Sequence, residues 1–173
     1  MVASLTGCGR APLSSPNTPE GAAGTAAAFT DPFAYCAAVG TSDSPAPPYA
    51  GPTLPDSVIA GLKKALDMPD DVPAEVLQNG TFWRCMNGKV YACFVGANLP
   101  CEAKANTDRT PTQALMEFCQ QNPDADVVPM VVTGHDTVYE WRCNNDQPEI
   151  VRQFAEADER GFVSNIWYEI APQ

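Results

Sequence analysis

FWRCMNGKVYACFVGANLPC, residues 82–101, carries the clearest hairpin signal in the chain and decides how the rest is read. Asn87-Gly88 lies between two apolar, aromatic-rich runs. Both residue types tolerate positive φ at the centre of a type I′ turn, whose twist matches that of the flanking strands. With Asn87-Gly88 as the loop, Met86 faces Lys89, Cys85 faces Val90 and Trp83 faces Ala92. Side chains alternate along a strand. Trp83, Cys85, Val90 and Ala92 therefore share one face, and Arg84, Tyr91 and Cys93 share the other. A bond between Cys85 and Cys93 would need a register slip that inverts both faces. Each cysteine needs a partner elsewhere, so the hairpin is expected to be stapled into the fold from both sides.

The chain around it has 173 residues, enough for one domain and a tail, and 45% are hydrophobic, enough for a core. Its formal net charge is −11 and its pI about 4.3. Nucleic acid and anionic lipid surfaces need a positive patch. The ten basic residues are scattered instead, so neither is expected as a partner. Seven cysteines at wide spacings, with a single histidine, point to disulfides in an oxidising compartment. They do not have the spacing of a zinc site, and no metal or cofactor is expected. Cys36, Cys85, Cys93, Cys101, Cys119 and Cys143 are expected to form three bonds. Cys93 with Cys101 would close a short loop through Gly96 and Pro100. The matching triplets Trp83-Arg84-Cys85 and Trp141-Arg142-Cys143 favour Cys85 with Cys143, which leaves Cys36 with Cys119.

The seventh cysteine has a different context. Leu5-Thr6-Gly7-Cys8 resembles the lipobox of bacterial lipoproteins, in which the cysteine becomes the lipidated first residue. The resemblance implies lipidation at Cys8 and, with Gly9 rather than Asp following, the outer membrane. Such signals have a charged start and an apolar run before the cleavage site. Only MVASLTG precedes Cys8, so this reading expects the apolar run upstream of Met1. The other reading is a stray thiol on a tail. Residues 9–30 (GRAPLSSPNTPEGAAGTAAAFT) are too poor in large apolar groups to offset ordering entropy and read as a tether. Residues 1–30 are thus a signal remnant and tether, and residues 31–173 a single disulfide-stabilised α+β domain.

Within that domain, Asp31 to Cys36 reads as an arm pinned to the core by Phe33, Tyr35 and Cys36. Asp56 is placed as an N-cap for a helix with Val58, Leu62 and Leu66 on one stripe. PAEVLQ, residues 73–78, reads as a further short turn of helix. Thr110 is placed as the cap of a second main helix, with Pro111 at its first position and Gln113 set for a capping box. Strands are expected at Val127 to Val132, Val138 to Cys143, Glu149 to Ala155 and Phe162 to Ile170. Short turns would join them as an antiparallel meander.

Catalytic signals are sparse. His135 beside Asp136 is the one pairing that could serve a hydrolase, although Gly-His-Asp is also ordinary turn chemistry. Asn98, Lys104, Asn106, Asp108 and Arg109 lie in the longest polar loop, a segment type that often binds ligands. Arg84 and Arg142 could pair as an anion site if the repeated triplets mark duplicated hairpins; otherwise each triplet is a buried Trp, an exposed Arg and a stapled Cys. The reading is an extracytoplasmic (outer-membrane lipid-anchored, periplasmic or secreted), monomeric, non-catalytic binding or inhibitor module. Its partner is a protein, glycan or small molecule of the cell envelope, and it meets membrane only through an anchor at Cys8. A small secreted hydrolase and a purely structural envelope protein are the alternatives.

Overall fold

A computed structural model describes residues 28–69, 71–96 and 98–172. The lipobox-like residues and all but the end of the expected tether lie outside them. Ordered contacts begin before Asp31: Phe29 N–H donates to Pro48 O at 2.9 Å and Phe29 O accepts from Ala50 N–H at 2.8 Å.

The expected arm is a helix, α1 (Pro32–Val39). Asp31 Oδ1 accepts the Ala34 N–H at 2.7 Å, Pro32 opens the first turn, and Gly40 ends it at φ 76°. An N-cap, an N1 proline and a C-terminal glycine are each common at those positions. In α2 (Asp56–Ala65), Pro55 occupies the cap position and Asp56 is the first helical residue. Its charge there still favours the positive end of the helix. A short α3 (Ala74–Gln78) follows.

The hairpin forms as β1 (Thr81–Met86) and β2 (Lys89–Phe94), in the register read from the turn: Met86 opposite Lys89, Cys85 opposite Val90, Trp83 opposite Ala92. Asn87 and Gly88 have φ of 53° and 78°. The next helix, α4 (Gln113–Gln121), is capped by Thr112, not Thr110: Thr112 Oγ1 accepts the Leu115 N–H at 3.2 Å. Thr110 is committed elsewhere, donating its N–H to Asp108 Oδ1 at 2.8 Å. Gln113 bonds Glu117 rather than closing a capping box.

The remaining elements are α5 (Met130–Thr133), β3 (Tyr139–Asn144), β4 (Gln147–Gln153), a 3₁₀ turn (Ser164–Ile166) and β5 (Tyr168–Ile170). The strand expected at Val127 to Val132 does not form. Ala125 and Val128 do lie beside β3, with Cys143 N–H to Ala125 O and Val128 N–H to Trp141 O, both 2.8 Å. Pro129 then has no N–H to continue the ladder, and the chain turns into α5. The strand expected from Phe162 is likewise confined to β5.

The class is α+β with antiparallel strand pairing, divided between a sheet ordered β1-β2-β5 and the hairpin β3-β4. Two cores flank the first sheet. On one side Tyr35, Cys36, Val58 and Leu62 from α1 and α2 meet Trp83, Cys85, Val90 and Ala92. Gly61 lets α2 lie directly on β5, since a Cβ there would overlap Ile170 Cγ2. On the other side Cys93 joins Leu115, Cys119, Trp141, Cys143, Phe162 and Trp167.

Among the described residues three disulfides connect Cys36–Cys85, Cys93–Cys101 and Cys119–Cys143, with Cα separations of 5.1, 5.7 and 5.2 Å. Cys93–Cys101 is the expected bond. Cys85–Cys143 and Cys36–Cys119 are not formed, because the Cys85 face of the hairpin rests on α1 while Cys143 rests on α4. These bonds place the domain in an oxidising, extracytoplasmic compartment. Among the described residues no helix is long and apolar enough to cross a membrane.

The repeated triplets occupy equivalent places. Cys143 stands opposite Pro148 and Arg142 opposite Glu149, across a two-residue turn of Asn145 and Asp146 at φ 49° and 67°. Each triplet's cysteine is bonded to a helical cysteine preceded by an aromatic residue, Tyr35-Cys36 in α1 and Phe118-Cys119 in α4. The fold thus uses one device twice, a helix stapled to a tight hairpin.

Candidate functional site

The two arginines of the triplets do not form a joint anion site, because they lie on different sheets and each pairs with its own carboxylate. Arg142 is exposed and holds Glu149 Oε2 from Nε and Nη2 at 2.9 and 2.7 Å. Its hydrogen bonds, followed by one from Asn144, lower the Glu149 pKa. Arg84, an exposed position if the triplets are simple in-out-in strands, is instead buried, with 1% of its side chain accessible. The second core covers its face of the hairpin. Its Nη2 donates to Asp158 Oδ2, and its guanidinium carbon lies 4.5 Å from the Phe162 ring centre and 4.2 Å from that of Trp167. Asp158 Oδ1 also accepts the N–H groups of Arg160 and Phe162 at 2.8 and 3.0 Å. Burial pushes the Asp158 carboxyl up, but the bonds from Arg84, Phe162 and Arg160 outweigh it and hold it below its ordinary value.

The polar loop is spent largely on its own bracing. Lys104 Nζ bonds Asp43 Oδ2 at 2.9 Å and Arg160 O at 2.8 Å, and lies 3.4 Å from the centre of the Phe162 ring. Asn106 Oδ1 accepts from Asp108 N–H at 3.0 Å, and its backbone ties to Asp136 O and to Val138. The Thr110 N–H bond lowers the Asp108 pKa. Arg109 sits 5.2 Å from the Tyr139 ring centre. Asn98, at φ 58°, is an exposed turn residue. The five residues therefore do not converge on one point.

His135 is exposed in a turn, and among the described residues no side-chain hydrogen bond reaches it or Asp136. The same residues contain no grouping of His, Cys, Asp and Glu fit to hold a metal ion.

The feature that sequence reasoning missed lies beside α5. Val127, Met130 and Val131 are 60%, 46% and 86% exposed; among the described residues the other exposed large apolar groups are Val76, Met116 and Val151. Pro129 causes this: by ending the strand it turns an apolar run outward as one helical turn. Next to it a groove of about 450 Å³ is lined by Val128, Pro129, Tyr139, Trp141 and Phe154, with the Arg152–Glu140 pair, 2.6 Å, along it. Thr133 and Thr137 line it on either side of the His135 turn, but His135 and Asp136 do not. Contiguous exposed apolar surface of this kind marks interaction sites. The available signal was the pair Val127 and Val131 flanking a proline, which is incompatible with a central strand.

Compared with known proteins, the chain matches no family model, no curated protein and no solved structure.

Proposed function

We propose that the protein is an extracytoplasmic, non-catalytic binding module that docks an amphipathic, basic segment of a partner protein on the groove beside α5. The observation that carries this reading is the exposure of Val127, Met130 and Val131 next to a preformed apolar groove. Helix-in-groove recognition uses such surfaces, with apolar anchors entering the groove and charges at its edge setting specificity. The charge preference comes from the protein: Asp124 and Asp126 are exposed immediately before Val127, and the chain carries a net charge of −11. In this reading Cys8 carries a lipid anchor, the segment between it and Phe29 is its tether, and the module works from the outer membrane.

A fluorescently labelled amphipathic Leu/Lys peptide tests the docking surface. It should bind the oxidised protein, bind more weakly as salt rises, and lose roughly tenfold or more in affinity with Val131→Asn, which removes the apolar contact without adding charge. Val131 is 86% exposed, so the substitution leaves the core untouched. Equal binding of a Leu/Glu peptide, or an unchanged affinity for Val131→Asn, would overturn the reading. Location is tested separately. With the gene extended upstream, wild type should partition into detergent and Cys8→Ser should not.

A further inference from the structure

A second cleft, also about 450 Å³, lies between the first hairpin, the loop around Asp43 and the segment from Phe162 to Trp167. Phe82, Trp83, Phe162 and Trp167 supply apolar walls, Thr81 lines it, and the carboxylates of Asp43 and Glu102 border it. Four buried side-chain nitrogen or oxygen atoms have no hydrogen-bond partner among the described residues: Thr81 Oγ1, Trp167 Nε1, and Arg84 Nε and Nη1. All four belong to this one region. Thr81 and Trp167 line the cleft, and the Arg84 guanidinium lies against the Trp167 ring. Native interiors satisfy nearly all such groups, so four in one place call for a cause.

The chemistry narrows the ligand. Indole N–H and guanidinium N–H groups only donate, and a hydroxyl can donate, so the site asks for an acceptor. An anion is disfavoured, because Asp158 already balances Arg84 and the border is acidic. Asp43 is occupied by Lys104 and Arg160, but the exposed Glu102 makes no side-chain hydrogen bond among the described residues and can accept from a ligand hydroxyl. The ligand is therefore uncharged, with a carbonyl acceptor and a small apolar group at one end and hydroxyl donors at the other. Clefts of this size and lining hold small molecules of one or two rings.

We infer that this cleft binds an N-acetylated sugar, whose acetamido group turns toward Trp167 and Thr81 and whose hydroxyls meet Glu102. The four polar atoms are shielded from water in this structure, so binding involves a small repacking of the cleft floor. This site is independent of the groove beside α5, which Trp141 lines instead.

Nitrogen-15 NMR of the full oxidised chain tests it, because each of the three tryptophans carries one indole N–H. N-acetylglucosamine should move the Trp167 indole and the Thr81 amide saturably and leave the Trp141 indole in place. Glucose, which lacks the amide, and acetamide, which lacks the ring, should each move them far less. Thr81→Val, which keeps the shape and removes the hydroxyl, should weaken binding roughly tenfold without lowering the melting temperature. Glu102→Ala, at an exposed position, should weaken it several-fold. An unmoved Trp167 indole overturns the site. Equal shifts with glucose overturn the amide preference, and equal shifts with acetamide overturn the sugar.

Discussion

Replacing Arg84 with methionine should be among the most damaging single changes in the protein. Arg84 and Asp158 side chains are 1% and 9% accessible, so removing the guanidinium strands a carboxylate that is nearly out of water. Removing one partner of a buried ion pair costs about 3–5 kcal/mol. The stacking on Phe162 and Trp167, at 4.5 and 4.2 Å, adds about 0.5–2 kcal/mol, part of which the methionine side chain restores by apolar contact. The net expectation is a loss of about 3–5 kcal/mol out of a total stability on the order of 5–15 kcal/mol. Asp158→Asn should also destabilise, by leaving the cation unpaired, although its remaining oxygen can still accept from Arg160 and Phe162 N–H. The double variant has no charge left to desolvate. Its loss should fall short of the sum of the singles by about 1–3 kcal/mol. Urea unfolding of the oxidised proteins at neutral pH, with unchanged slopes, measures all three. A cost below about 1 kcal/mol for Arg84→Met, or strict additivity in the double, would refute the picture of a buried, mutually dependent pair.

Three further outcomes follow from named contacts. Thr112→Ala should cost about 1 kcal/mol in thermal or urea unfolding by removing the α4 cap, and Thr110→Ala clearly less; the reverse order would move the cap. Peptide mapping of the unreduced protein should recover Cys36–Cys85, Cys93–Cys101 and Cys119–Cys143, and the Cys119→Ala/Cys143→Ala variant should lose about 2–4 kcal/mol. A Cys85–Cys143 peptide would contradict the described packing of α1 on the hairpin. Acid should destabilise the protein below about pH 4. The hydrogen bond from Arg160 chiefly, opposed by partial burial and reinforced by Lys104, lowers the Asp43 pKa from 3.8 to about 2, and Asp158 is lowered too. A carboxyl depressed in the folded state stabilises it above the unfolded pKa, and that stability is lost as pH falls through the folded value. Asp43→Asn should therefore flatten the acid limb of a melting-temperature profile between 3.8 and about 2, and an unchanged limb would remove Asp43 from its cause.

What the sequence determined by itself was local. Asn87-Gly88 sets the register of the first hairpin because positive φ at two adjacent positions leaves the strands one way to meet. Strand alternation then put Cys85 and Cys93 on opposite faces, and their bonds to Cys36 and Cys101 respect that. The apolar stripe of α2 and the oxidising compartment were legible for the same reason, since periodicity and cysteine usage need no knowledge of neighbours. Even α1 is encoded locally, in Asp31, Pro32 and Gly40, although Asp31 to Cys36 alone suggests only an arm. The identities of distant partners were decided only by the tertiary structure. Trp83-Arg84-Cys85 and Trp141-Arg142-Cys143 sit in equivalent positions, yet one arginine is buried and the other exposed. The difference lies in the segment from Phe162 to Trp167, which covers the first hairpin, and in Asp158, which pairs with Arg84 across 74 residues. No local preference encodes a contact at that distance. It arises when packing removes a face from water and the charge left inside must find its counter-charge.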